Sequence, residues 1–128
     1  MRILLAAADR DLLECYRKIL EADFGETVTA FDGTQVLLFV STERFEVVIL
    51  DRDLPSVDGE TILKRISGKG IPVIVLENEE SAGDAGERGS GSVITLSYPF
   101  TPEKLGETIR RALLPAAPAK QNDQGEEG

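Results

Sequence analysis

The chain has 128 residues, with 14 Lys plus Arg against 23 Asp plus Glu, no His and one Cys, for a formal net charge of −9. That length suits one domain with a real core, while the lone Cys15 and the missing His exclude a disulfide framework, a cysteine zinc cluster, a Ser-His-Asp triad, a Cys-His dyad and a phosphohistidine relay. The acidic balance argues against nucleic-acid binding, no apolar run is long enough for a membrane span, and the N-terminus turns acidic too soon for a signal peptide, so a soluble cytoplasmic protein is expected.

Ile3–Ala7 reads as a buried strand. Residues 10–22 follow, with Leu12, Leu13, Tyr16, Ile19 and Leu20 on one helical face. Arg10/Glu14, Glu14/Lys18 and Arg17/Glu21 stand i,i+4 on the other face, each a small increment. Cys15, beside apolar neighbours, reads as a buried or half-buried structural thiol. Thr27–Phe31 is a second strand, short and half polar, as suits a sheet edge. Asp32 caps the next helix, with Gln35 three residues on as in a capping box, and Val36, Leu37, Phe39 and Val40 face inward.

Phe45–Leu50 is the most apolar strand, expected at the centre with both faces covered, and it ends at Asp51. A loop, Arg52 to Val57, leads to a helix over 58–67 with Ile62, Leu63 and Ile66 inward. Pro72–Leu76 is the fourth strand. Residues 79–88 predict a short helix or an irregular loop, because Gly83 and Gly86 each cost about 1 kcal/mol in a helix interior and an apolar face is nearly lacking. Val93–Leu96 is the fifth strand. Thr101 caps the last helix and Pro102 sits in its first turn, with Leu105, Ile109, Ala112 and Leu113 inward. Residues 1–114 are read as the domain and 115–128 as a disordered polar tail.

Strands alternating with helices imply a parallel sheet covered on both faces, each crossover right-handed. Sites in such sheets form beyond the carboxyl ends of the strands. The residues to weigh are therefore Ala7, Ala8 and Asp9, then Asp51 to Asp53, Glu77 with Asn78, and Ser97 with Tyr98.

Those strand ends carry a pattern. Val47-Val48-Ile49-Leu50-Asp51-Arg52-Asp53-Leu54-Pro55-Ser56-Val57-Asp58-Gly59 resembles the central segment of response-regulator receiver domains, in which a strand ends in the phosphoryl-accepting Asp. Ser97-Tyr98-Pro99-Phe100 resembles the family's Lys-Pro-Phe segment, and Met1–Leu13 its first strand and helix. The resemblance spans residues 1–114 and implies a flavodoxin-like (βα)5 three-layer sandwich, an α/β fold with sheet order 2-1-3-4-5. It places Asp51 at the phosphoacceptor position and implies an X–Pro bond of the cis kind at Tyr98-Pro99.

The departures from the family pattern are specific. Ala7 and Ala8 stand where a typical receiver has two adjacent acids that hold Mg²⁺, with Asp9 one residue later; Glu77 replaces Thr or Ser, Tyr98 replaces Lys, and Thr95 stands at the aromatic position three residues earlier. Asp51, Asp53 and Asp9 remain as at most a weak Mg²⁺ set. Neighbouring parallel strands lie about 4.8 Å apart, which brings the Asp51 and Glu77 carboxylates close. Like charges about 4 Å apart repel by roughly 4 kcal/mol at an effective dielectric near 20. Ordinary phosphorylation is accordingly expected to be severely impaired or absent. Glu77 is read more as a solvated strand-end acid than as a fixed charge mimicking the phosphoryl group, and Tyr98 more as a cover on the pocket than as a carboxylate donor.

Three functions compete. The first is an atypical stand-alone receiver in two-component signalling, a pseudo-receiver acting as a phosphorylation-independent protein-interaction module. Its partner would be a protein such as a sensor histidine kinase or a downstream regulator, met on the face built from residues 79–88, strand five and the last helix. The second is a conventional regulator phosphorylated on Asp51 by a sensor histidine kinase. The third is a small Mg²⁺-dependent phosphatase using the Asp51/Asp53 pair. The first reading implies no catalytic residues, no enzyme activity, no output through nucleic acid, and a monomer or weak homodimer.

Overall fold

The computed structural model describes residues 1–57, 59–78, 93–98 and 100–113. In chain order the elements are β1 (Arg2–Ala6), α1 (Arg10–Asp23), β2 (Glu26–Ala30), α2 (Gly33–Thr42), β3 (Val47–Asp51), α3 (Gly59–Ser67), β4 (Val73–Asn78), β5 (Val93–Tyr98) and α4 (Pro102–Leu113). All strand pairs are parallel and the sheet order is β2-β1-β3-β4-β5. This is the flavodoxin-like order that the sequence implies, with the half-polar β2 at one edge and the apolar β3 in the middle.

Period-two alternation divides the core between two faces. Leu4, Ala6, Val48, Leu50, Val73 and Val75 meet Val36 and Val40 of α2 and Ile62 and Ile66 of α3. Ile3, Leu5, Val47, Ile49, Ile74 and Leu76 meet Leu13 and Leu20 of α1 and Leu105 and Ile109 of α4. Residues 47–50 of β3 are fully buried, as two-sided cover requires. No described helix is long and apolar enough to cross a membrane.

The helix starts follow the side-chain chemistry. Asp9 caps α1 by accepting from the amides of Asp11 and Leu12. Asp32 accepts from Gln35 N–H at 2.8 Å, and the reverse arm of the expected capping box reaches one residue further back, Gln35 Oε1 accepting from Phe31 N–H at 2.9 Å. Thr101 Oγ1 accepts from Lys104 N–H. Gly33 N–H donates to Pro55 O at 2.9 Å, and a Cβ there would lie 2.7 Å from Val57 Cβ. Only glycine lets the loop after β3 rest on the start of α2.

Three expectations on α1 need correction or refinement. Cys15 is exposed, because it lies two residues from the inward Leu13 and so about 200° around the helix. Among the three i,i+4 pairs, the ion pair formed is Arg17–Glu21 at 3.0 Å, and Arg17 also bonds Glu14. Arg10 lies instead over the Phe31 ring, 4.4 Å from its centroid. The expectations for residues 79–88, for the Tyr98-Pro99 bond and for the tail fall on residues outside those described.

Candidate functional site

The carboxyl ends of β1, β3, β4 and β5 bring four acidic or aromatic positions to one edge of the sheet. Asp51 continues the Val47–Ile49 face of β3 and looks toward the α1/α4 side. Glu77 continues the Val73–Val75 face of β4 and belongs to the α2/α3 side. The register decides this: Asp51 stands opposite Leu76, so Arg52 comes beside Glu77. Arg52 N–H extends the ladder by donating to Leu76 O at 2.9 Å.

Asp51 is half-buried and receives two neutral donors. The amide of Asp53 donates to Oδ1 at 2.9 Å, a local turn two residues on. The Tyr98 hydroxyl donates to Oδ2 at 3.3 Å. Burial pushes the Asp51 carboxyl above its ordinary range, and the nearby Asp53 charge adds to this, against the two hydrogen bonds. The Tyr98 phenol is driven upward as well, by burial first and then by the Asp51 charge beside it, with Tyr16 and Asp9 contributing. Tyr98 is held by an aromatic ladder. Its ring stacks on Phe100 at 5.2 Å between centroids, and Phe100 stacks on Tyr16 at 5.5 Å. Tyr98 thus both covers the site and bonds the carboxylate, where the sequence favoured cover alone.

Glu77 is not a solvated strand-end acid, since it is 2 % exposed. Its Oε1 accepts from Arg52 Nη1 at 2.8 Å, while Oε2 is buried and has no partner among the described residues. The Arg52 side chain is 38 % exposed, so the pair is a buried acid with a cation at its solvent edge. The expected repulsion between Asp51 and Glu77 is therefore replaced by an ion pair. Sequence reasoning placed Arg52 within the strand-end stretch Asp51 to Asp53 but gave it no role, although its position directly after the acceptor Asp was the available signal.

The remaining candidates are dispersed. Ala7 is buried and Ala8 exposed, and each offers only a methyl group to the site. Asp9 is exposed, with Oδ1 engaged in capping α1. Asp53 is exposed and meets Asp51 through its amide. Among the described residues no group of three or more His, Cys, Asp or Glu is gathered to hold a metal ion.

Residues 3–110 match the family model of the response regulator receiver domain. The transcriptional regulatory protein CiaR of Streptococcus pneumoniae is 31% identical over 118 residues, covering 88% of this chain and 51% of CiaR. The response regulator MprA of Mycobacterium tuberculosis is 28% identical over 116 residues, covering 88% of this chain and 50% of MprA. The chain thus spans about half the length of these curated relatives. Among solved structures, the chemotaxis response regulator CheY4 of Vibrio cholerae superposes with a TM-score of 0.75 at 26% identity, covering 88% of this chain and 98% of that one. The receiver domain of the Francisella response regulator 1452 gives 0.73 at 26% identity, covering 88% and 95%.

Proposed function

This chain belongs to the response regulator receiver domain family of two-component signalling, and from that premise we propose that it works without phosphorylation, as a protein-interaction module and not an enzyme. Its partner is a protein of the same signalling class, a sensor histidine kinase or a downstream regulator. The observation that carries the reading is the donor set of Asp51. An Asp that accepts a phosphoryl group approaches an anionic donor, and the added charge has to be offset by cations. Here the two oxygens meet an amide and a phenol. Arg52, the cation next along the chain, is turned to Glu77.

The direct test is intact-protein mass after incubation with acetyl phosphate and Mg²⁺. The expected result is an unchanged mass. A gain of one phosphoryl group, lost in Asp51→Asn, would return the chain to the conventional phosphoacceptor reading. In an amide NMR titration with Mg²⁺ and then beryllofluoride, the signals of Asp51, Glu77 and residues 93–98 are expected to stay in place.

A further inference from the structure

On the α3 side of the sheet, beside the Arg52–Glu77 pair, lies a cavity of ≈ 360 Å³ lined by Leu50, Arg52, Asp53, Gly59, Glu60, Leu63 and Val75. That volume sits at the small end of the range for ligand sites, about 300–1,000 Å³. We propose that this cavity seats an arginine or lysine side chain of a partner protein, its methylenes on the apolar floor and its charged end among the acids. The proposal deepens the interaction-module reading and rests on it.

Three observations converge on a basic guest. The floor is apolar: Leu50 and Val75 are buried core residues and Leu63 packs against them, a surface suited to the methylene stem of a long basic side chain. The rim is acidic, since Asp53 and Glu60 are both exposed there. Among the described lining residues the basic one, Arg52, already faces Glu77. Guanidinium and ammonium groups supply donors and positive charge together. An anionic guest would be repelled by the rim acids, and a purely apolar guest would leave them without a counter-charge.

The test is an amide NMR titration of the full chain with a capped tripeptide carrying arginine between two leucines, beside its lysine and citrulline counterparts. Saturable shifts at Leu50, Asp53, Glu60, Leu63 and Val75 are expected with the two basic peptides. The citrulline peptide, which keeps the shape and loses the charge, is expected to bind about tenfold more weakly, the size of one charge-assisted hydrogen bond. The doubly neutral Asp53→Asn/Glu60→Gln variant changes exposed side chains only and is expected to fold normally and to lose affinity by a similar factor. Equal binding of the citrulline peptide would overturn the proposal. So would silence at those residues up to millimolar peptide. These outcomes separate from the phosphorylation question: a failed titration leaves the acetyl phosphate result standing, and uptake of a phosphoryl group on Asp51 overturns the earlier reading without touching the cavity.

Discussion

Two carboxylates at neighbouring strand ends are treated in opposite ways. Glu77 is buried, and its charge is met by a guanidinium. Asp51 is half-buried, and its charge is met by an amide, a phenol and solvent. The difference follows from depth. A deeply buried carboxylate needs a cation or it is strongly destabilising, whereas a carboxylate with access to water can be held by neutral donors. The cation at this edge of the sheet thus goes to the structural acid on the α3 side, and the acid at the phosphoacceptor position is left with dipoles.

Breaking the Glu77 side should produce the largest effect. Arg52→Ala leaves a buried carboxylate without its cation and is expected to lower stability by about 1–3 kcal/mol, read as a lower urea midpoint with unchanged slope. Adding Glu77→Leu to Arg52→Ala should recover most of the loss, because replacing both partners of a buried pair by apolar groups is close to neutral. If Arg52→Ala alone costs nothing, the pair is not what keeps Glu77 buried.

The third acid at this edge, Asp9, sharpens the contrast, because its task is neither of these. Its Oδ1 caps α1. Asp9→Ala should therefore cost about 0.5–2 kcal/mol, as lost N-caps do. Mg²⁺ titrations followed by amide shifts should be the same for the variant and the parent. A variant that unfolds at the parent's urea concentration but differs in Mg²⁺ response would reassign Asp9 from cap to ligand.

How legible this was depends on what fixes each feature. The strands, the sheet order and the caps at Asp9, Asp32 and Thr101 rest on local chemistry and periodicity, and the chain displays both. Asp51 was equally visible, as the first polar residue after the apolar run Val47-Val48-Ile49-Leu50. The partner of Glu77 was not, because it is set by register: only when Asp51 is placed opposite Leu76 does Arg52 come beside Glu77. Read linearly, Glu77 is one more acid in the run Glu77-Asn78-Glu79-Glu80. The support of Tyr98 was hidden for the same reason, since Tyr16 stands far away in sequence and meets Phe100 only after α1 and α4 pack on one sheet face. Cys15 is a different kind of miss. The helical wheel already turned it away from Leu13, and apolar neighbours in sequence were given more weight than the angle.

On the Asp51 side a smaller perturbation is available. Tyr98→Phe removes the hydroxyl and keeps the ring on Phe100. Its cost should be about 0.5–1.5 kcal/mol, one hydrogen bond at a site that water can reach. The more specific readout is the side-chain carboxyl carbon of Asp51 in a pH titration. The phenol's hydrogen bond favours the carboxylate, so its loss should move the Asp51 titration further upward. A downward movement would mean that Tyr98 acts mainly by excluding water.

The smallest expected effect carries the clearest sign. The Asp51 carboxyl titrates above the 3.8 of an unperturbed Asp, with burial the leading cause. Between that value and the raised one, the folded state keeps a proton that the unfolded chain has already released. Stability from this group is therefore complete below the ordinary carboxylate range and declines as pH rises through the window above it. At neutral pH the ionised Asp51 is a net burden on the fold. Asp51→Asn removes the charge and keeps one acceptor oxygen for Asp53 N–H, while its amide NH₂ can donate to the Tyr98 hydroxyl oxygen. It should stabilise the protein at pH 7 by no more than about 1 kcal/mol, since solvent screens a half-buried charge. The gain should shrink to nothing as the pH falls below the ordinary carboxylate range, where the parent's Asp51 is neutral too. Urea unfolding of both proteins across this range measures the difference. A variant less stable than the parent at neutral pH would show that the amide and the phenol hold the Asp51 charge better than water does, and the contrast with Glu77 would then be one of degree only.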